Sequence, residues 1–572
     1  MRSKKVKRIA ASVAAIAMTT SLIAGCSKGN VKNGEAKDNE VIELNIVTNC
    51  GITSSQDDPN YPYKIFDEIE KETGVRLTYT NYTDEALKVL LAGGDLGDIV
   101  CVSKDYVQPM IEGGHVISLD EFVESGDKNI TKFHPKRVEF SRKFMSNGTD
   151  KLYFLTPGAT AGGHTGDVWN GYYVRWDYYK ELGYPEIKDE DSYLKVLSDM
   201  QKAHPETEDG KKTYGVAFFN DWNGLWGWWY ARAFNQGYYN WGTGGYMYDT
   251  DDGSIINNYL NPDSPLWQSL EFGYKANQMG LLDPDSFTMK KADLSAKAQA
   301  GQYLGSSINW DINLYYTAEA QKDPDTRKGY VAVPVEGNYI VANNGTDIGD
   351  SSKQIAVTQN CKYPEKAMEV LNYLFSEEGA RLFYNGIEGE DWEVTDGVPK
   401  LKQEILEASK SGSDEWKKTG INNGNFNNFI GLGAFDISEK DGTALNLWNA
   451  EEVYKNNMSA LDKEICEYYG VDYKYEIYEK AMNEGKMKDF SGPWHDIPAA
   501  MPTTDDDIKR IDSTLDEIMT RAIPNVVLAA DEKAFEAEKE KVIQELKAAK
   551  AEISQEWWFT EWEKAKAFAV GE

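Results

Sequence analysis

The chain has 572 residues and a formal net charge of −32. A chain of this length is too long for one compact core, so we expect two or more lobes. The acidic balance argues against nucleic-acid binding, which needs clusters of basic residues. The five cysteines and five histidines show no zinc-ligand spacing and no dense disulfide framework, so we expect neither a bound metal nor a cofactor.

The N-terminal segment has the pattern of a bacterial lipoprotein signal. The basic octapeptide MRSKKVKR precedes an apolar stretch that is short for a membrane span. This stretch ends in IAGC (23–26), a lipobox in which small residues admit the peptidase and the cysteine thiol takes a diacylglycerol group. A plain signal peptide beside a chance cysteine is the alternative. The sequence predicts a signal peptide over 1–25, lipidation at Cys26 and a flexible tether over 26–40.

The segment from 41 to 103 alternates strand and helix patterns. Predicted strands at 41–48, 75–82 and 98–103 are separated by two amphipathic helices, each of which ends at glycine. This order predicts a βαβαβ unit with parallel strands and right-handed crossovers.

Polar residues follow two of these predicted strands. Ligands of parallel sheets bind beyond the carboxyl ends of the strands, so Asn49 and Asp105 are candidate ligand-binding residues. Cys50 and Cys101 lie near the ends of strands that could be neighbours. Whether these two cysteines are bonded is left open by the sequence.

A stretch between Phe218 and Tyr248 is dense in aromatic residues, although the whole chain is only 12% aromatic. Most dense aromatic clusters are core, because rings bury large apolar areas. Here, however, asparagine, aspartate, glutamine and glycine are interleaved with the rings. Such a mixture suits a sugar, whose apolar face stacks on a ring while its hydroxyls meet polar groups. Both interpretations, core and ligand site, remain open.

The elements predicted around this stretch are strands at 151–159 and 172–175, a hairpin over 248–260 and a strand that leads into Trp310. The hairpin contains Asp252-Gly253, which predicts a turn and not a calcium loop. The last third of the chain is predicted to be mostly helical.

Motifs along the chain carry a family resemblance. The segments EIEKETGVRLTY, LAGGDLGDIV and LYFLTPG are followed by YYVRWDYYKELGYPEIKDEDSYLKVL, by a hairpin-and-helix segment ending in GLLDP, and by AMEVLNYLFSEEGARLFYNGIEGEDW. In this order they resemble the family 1 extracellular solute-binding lipoproteins of bacterial ABC importers, in the long oligosaccharide-binding branch. The resemblance covers nearly all of residues 26–572.

The resemblance implies an α/β, two-lobed periplasmic-binding-protein-like fold of type II. The ligand would bind in the cleft between the lobes, and the lobes would close about a hinge. The implied first lobe comprises 41–160 and a return segment, 346–400. The implied second lobe comprises 161–345 and a helical C-terminal extension, 401–572.

The resemblance also implies positions that contact the ligand. The family presents stacking rings early in its second lobe, another aromatic residue after a strand of that lobe, and a Gly-Ile-Glu-Gly turn in its return segment. The residues matching these positions are Trp222, Trp226, Trp229, Trp310, Asp311, Glu388 and Trp392. A core position is the alternative for Trp310, and a structural role is the alternative for the two residues of the turn.

One departure from the family concerns calcium. Several long relatives carry a calcium loop after the helix that here ends near Ala203. This chain has HPETEDGKKTYG (204–215), in which His204 replaces the first aspartate and Thr213 and Tyr214 replace the last two acids. Because hard oxygen ligands are missing at both ends, we expect no calcium there.

The function implied is that of a non-catalytic receptor, lipid-anchored on the extracellular face of the cytoplasmic membrane. As a monomer it would capture an oligosaccharide and deliver it to the transmembrane subunits of an ABC permease. Stacking rings would supply affinity and matched polar groups would supply specificity, since a buried unpaired polar group is costly. The alternatives are the same fold binding a peptide or another solute, and a surface glycosidase, which would need two carboxylates across a cleft.

Overall fold

The computed structural model describes residues 41–49, 63–125, 129–158, 168–221, 232–239, 245–340, 348–349, 353–422, 426–434, 436–490 and 493–570. Contacts divide the chain into the units Met1–Asn39 and Glu40–Glu572, and all described residues belong to the second unit. The predictions for the signal peptide, the tether, Cys26 and Cys50 therefore lie outside the described residues.

The second unit mixes short strands with many helices. Its strands are β1 Ile42–Thr48, β2 Val75–Asn81, β3 Ile99–Ser103, β4 Asn170–Arg175, β5 Tyr238–Tyr239, β6 Tyr246–Asp249, β7 Ile255–Asn257, β8 Gly305–Ile308, β9 Tyr330–Val333, β10 Tyr339–Ile340, β11 Lys353–Val357, β12 Trp392–Thr395, β13 Val398–Leu401 and β14 Lys488–Asp489. Its α-helices are Lys64–Thr73, Asp84–Gly93, Val107–Glu112, Asp120–Ser125, Asn129–Phe133, Pro135–Phe144, Trp176–Glu181, Glu190–Ala203, Pro265–Gln278, Lys291–Gln299, Asn313–Lys322, Pro364–Leu374, Glu377–Asn385, Gln403–Ser411, Asp414–Thr419, Glu451–Asn457, Ala460–Tyr469, Tyr475–Asn483, Ile497–Ala500, Asp506–Val527, Glu532–Ala548 and Ala551–Val570. Short 3₁₀ helices span Lys104–Tyr106, Pro284–Phe287, Phe426–Phe429, Leu447–Asn449 and Pro493–Asp496. None of the helices in the described ranges combines the length and apolar character that a membrane crossing requires.

The first sheet has the strand order β11-β3-β1-β2. Strands β1, β2 and β3 are parallel and β11 is antiparallel to β3, which confirms the predicted βαβαβ unit. The helix after β1 ends at Gly74 in the left-handed conformation (φ 70°), and the helix after β2 ends in the same way at Gly94 (φ 77°). These glycines stop each helix and let the chain return to the sheet.

Both faces of the first sheet are covered. Leu44, Ile46 and Leu77 belong to one buried cluster, whereas their alternate neighbours Val47 and Val100 belong to another. This alternation follows from the two-residue period of a strand. The sheet is thus buried on both sides, as parallel sheets are.

The second sheet has the antiparallel order β8-β4-β9 and the largest hydrophobic cluster of the described chain packs around it. Strand β4 confirms the strand predicted at 172–175. Strands β6 and β7 form the predicted hairpin, with Gly253 at φ 68° in its turn.

Two expectations differ from the observed packing. The strand predicted at 151–159 is reduced to one bridge, Leu155 with Ile355, because Pro157 and Gly158 follow and do not extend a ladder. Residues 426–445, expected with the second lobe, contribute Phe426, Phe429 and others to the cluster beneath the first sheet. The lobe boundaries remain a prediction.

Candidate functional site

A cavity opens to solvent beside β8. Its apolar walls come mainly from residues 216–219, at the start of the aromatic stretch, and from two helices. Its polar groups come from β8, from the turn after it and from Arg232. The lining residues are Val216, Ala217, Phe218, Phe219, Arg232, Phe272, Leu294, Tyr303, Gly305, Ser306, Ser307, Ile308, Trp310, Asp311 and Ile312. The cavity therefore includes two residues predicted from the sequence, Trp310 and Asp311.

Trp310 lies beside a second tryptophan, Trp169. Strands β4 and β8 pair Asn170 with Ile308, and the backbone nitrogen of Asn309 donates to the Trp169 carbonyl at 3.2 Å. This register brings the two indole rings to 5.4 Å between centroids, with planes tilted by 36°. Both residues are half-buried. The sequence analysis missed Trp169, whose only signal was its place three residues before a predicted strand.

An aromatic chain continues from Trp169 into the core. Phe234 lies 5.0 Å from Trp169, and Tyr239 lies 5.1 Å from Phe234. Phe234 and Tyr248 are fully buried, so the core interpretation holds for these parts of the aromatic stretch. Trp222, Trp226 and Trp229 lie outside the described residues, and their predicted roles stay untested.

Asp311 is held by the helix Lys291–Gln299. Its Oδ1 accepts from Lys291 Nζ at 2.5 Å and from Ser295 Oγ at 2.6 Å. The backbone nitrogen of Lys291 donates to Asp221 Oδ2 at 2.7 Å. Oδ1 of Asp311 is thus hydrogen-bonded within the protein, and Asp311 fixes the turn that carries Trp310.

Arg232 is the buried cation of the cavity wall. Its side chain is 3% exposed, forms an ion pair with Glu190, and lies 4.2 Å from the centroid of the Phe272 ring. Burial lowers the pKa of Arg232 to about 10, which leaves the guanidinium charged at neutral pH. The sequence offered no signal for this residue, because its neighbours come from distant elements.

The first-lobe candidates lie elsewhere. Asn49 Nδ2 donates to Asp84 Oδ1 at 2.7 Å, and Asp105 is exposed in the turn after β3. Neither residue lines the cavity beside β8. The neighbouring Lys104 donates to the backbone carbonyl of Ala499 at 2.7 Å, and burial lowers its pKa to about 8.

Glu388 and Trp392 line a separate cavity near the helix Glu377–Asn385. Trp392 is buried and its Nε1 donates to the Gly386 carbonyl at 3.0 Å. This cavity shares no described lining residue with the one beside β8. The ring of Trp392 therefore packs the turn, which agrees with the structural alternative.

The loop that replaces the family's calcium site is a tight turn. Glu206 and Lys212 form a bridge across it, with Gly210 at φ 72° between them. Within the described ranges, no group of three or more histidine, cysteine or acidic residues is placed to hold a metal ion.

Comparison with known proteins connects this architecture to binding proteins. A family model described as bacterial extracellular solute-binding protein matches residues 53–381. No curated protein sequence matches the chain.

Solved structures share the fold across almost the whole chain. The S. pneumoniae ABC-transporter substrate-binding protein FusA in complex with kestose has a TM-score of 0.60 at 15% identity, covering 93% of this chain and 100% of that one. The HMO-binding solute-binding protein from Bifidobacterium longum infantis has a TM-score of 0.60 at 12% identity, covering 91% of this chain and 98% of that one. Alginate-binding protein AlgQ2 has a TM-score of 0.57 at 14% identity, covering 92% of this chain and 98% of that one. At these identities the likeness shows the fold, and it confirms the predicted periplasmic-binding-protein-like architecture.

Proposed function

Because the chain belongs to the bacterial extracellular solute-binding protein family, we propose that it is the substrate-binding lipoprotein of an ABC importer and that its solute is an oligosaccharide. The protein captures the sugar without altering it and delivers it to the transmembrane subunits of the permease. Three of the similar structures are described as an alginate-binding protein, a protein in complex with kestose and an HMO-binding protein, which supports a saccharide as the solute class.

The observation that carries the proposal is a half-buried tryptophan in the wall of the cavity, with a second tryptophan beside it. Trp310 lines the cavity together with serine, arginine and aspartate side chains, and the ring of Trp169 lies 5.4 Å from its own. A pyranose ring has one apolar face and equatorial hydroxyls, so it matches a ring surface bordered by polar groups. A peptide ligand would need charged groups that anchor its termini. The two charged residues in the described lining of this cavity, Arg232 and Asp311, are already paired with Glu190 and Lys291.

Attachment to the membrane completes the proposal. Cys26 carries the lipid, the segment to residue 40 is the tether, and the folded unit acts as a monomer on the extracellular face.

The test is a binding panel on the chain expressed from Ser27 onward. Intrinsic tryptophan fluorescence and melting temperature are measured against oligosaccharides, monosaccharides and short peptides. We expect one class of oligosaccharide to shift the tryptophan fluorescence saturably and to raise the melting temperature, because a ligand that binds only the folded state stabilises it. The ligand should be unchanged after overnight incubation. A response to peptides alone would refute the solute class, and a cleaved glycan would refute the non-catalytic role.

A further inference from the structure

One polar group in the wall of the cavity beside β8 is left unsatisfied by the protein. The Nη1 atom of Arg232 is buried and makes no hydrogen bond to any residue of the described chain. The side chain is 3% exposed and lines the cavity. A buried donor without an acceptor is unfavourable, so a ligand that supplies the acceptor gains binding free energy at this point.

The charges around the cavity are already balanced. Arg232 is paired with Glu190, and Lys291 is paired with Asp311 at 2.5 Å. A carboxylate on the ligand would compete with Glu190 for the guanidinium and would face Asp311 as a like charge. The acceptor that fits Arg232 is therefore an uncharged one.

The walls of the cavity are mainly apolar, and Phe272 lies directly against Arg232. Val216, Phe218 and Phe272 are buried side chains, and Leu294 faces the cavity from its helix. A hydroxyl could accept the hydrogen bond but would leave these walls without an apolar partner. An acetyl group offers both an uncharged carbonyl oxygen and a methyl group in one small substituent.

We propose that this cavity binds an acetyl substituent of the ligand, with Arg232 Nη1 donating to the acetyl oxygen and the methyl group packed on the apolar walls. The solute class is then an acetylated oligosaccharide, carrying its acetyl group on nitrogen or on oxygen. This inference rests on the proposed function, since it names the sugar class bound beside Trp310.

Two matched ligand pairs test the proposal on the native chain by isothermal titration calorimetry. N,N′-diacetylchitobiose is compared with cellobiose, which has hydroxyls in place of acetamido groups. Acetylated xylotriose is compared with the same sugar after alkaline deacetylation. We expect at least a tenfold preference for the acetylated member of one pair, and the pair that shows it distinguishes N-acetyl from O-acetyl.

The outcomes distinguish a failure of the acetyl site from a failure of oligosaccharide binding. Equal affinity within both pairs, or tighter binding of a uronic-acid oligosaccharide, overturns the acetyl site and leaves oligosaccharide binding intact. Absence of binding to every saccharide in the wider panel overturns both.

Variants test whether Arg232 recognises the acetyl group. Arg232→Lys keeps the charge opposite Glu190 but loses the forked donor geometry, so the acetyl preference should fall toward one. The control is Arg521→Lys, an exposed arginine paired with Glu545, which should leave the preference unchanged. If Arg232→Lys does not fold, Leu294→Gln replaces it, and a preference that survives a polar group in the wall contradicts the proposal.

Discussion

At the scale of residues, Trp310 and Asp311 are adjacent in sequence but have different surroundings. Asp311 is 7% exposed and is bonded to Lys291 and Ser295, so it holds the turn in place. Trp310 is half-buried beside Trp169 and lines the cavity. Affinity should therefore depend on the ring of Trp310, whereas Asp311 positions it.

We predict that Trp310→Ala weakens oligosaccharide binding by about 10- to 100-fold, because burying an aromatic ring contributes about 1.5–3 kcal/mol. Calorimetric titration of the ligand identified in the panel measures the effect. Trp557→Ala is the control, since Trp557 is also half-buried but lies on the helix Ala551–Val570. Equal losses in the two variants would contradict a stacking role.

At the scale of elements, buried junctions hold helices and turns in register. His134 precedes the helix Pro135–Phe144 and is 4% exposed, with Nε2 at 3.3 Å from the Phe375 carbonyl at the end of another helix. Burial, with a further contribution from the Arg137 cation, lowers the pKa of His134 to about 3. Protonation of this imidazole therefore destabilises the folded chain.

We predict that His134 makes folding stability fall as the pH is lowered below 6.5. The unfolded chain takes up a proton near pH 6.5 and the folded chain does not until about pH 3, so the loss approaches about 1.4 kcal/mol per pH unit between these values. Urea unfolding of the native chain and of His134→Gln at pH 7, 6 and 5 isolates this group from the carboxylates. The stability difference between the two should shrink as the pH falls, and a constant difference would refute the assignment.

The hairpin β6–β7 gives a second prediction at this scale. At Gly253, with φ 68°, an added Cβ would lie 2.5 Å from the Trp494 ring. Gly253→Ala should therefore cost more than the roughly 1–2 kcal/mol that the left-handed conformation alone costs. The control is Gly210→Ala, at φ 72° with no atom within 4 Å of the added Cβ. Equal losses of unfolding free energy would show that the Trp494 contact contributes nothing.

At the scale of the whole molecule, the C-terminal helix Ala551–Val570 joins distant parts of the chain. The ring of Phe568 lies 4.6 Å from Phe144 beside the first sheet. Trp558 stacks on Tyr246 at 5.2 Å, and Trp562 Nε1 donates to the Gly253 carbonyl at 2.8 Å. One helix thus completes a hydrophobic cluster that the first sheet and the hairpin share.

We predict that ending the chain after Lys550 abolishes cooperative folding. Removing a buried tryptophan costs about 3–5 kcal/mol, and losing both Trp558 and Trp562 approaches the 5–15 kcal/mol of total stability that is usual for a domain. Thermal unfolding by circular dichroism measures the effect. Ile553→Ala, at a 52% exposed position on the same helix, should leave the transition almost unchanged.

Local patterns were enough to predict much of this chain. The βαβαβ order, the glycine that ends the first helix and the hairpin turn all depend on residues within a few positions of each other. Hydrophobic period and turn chemistry act over that distance, so they can be read without knowing the fold. The order of motifs also predicted the family, which the match over residues 53–381 confirms.

The tertiary structure decided which side chains meet. Trp169 becomes a candidate because the β4–β8 register sets it beside Trp310, and Arg232 does so because Glu190 and Phe272 enclose it. Asp311 proved to be held by Lys291, and Glu388 and Trp392 line another cavity. These contacts join residues that are about 20 to 140 positions apart, and their energies depend on register and burial, which no local pattern encodes.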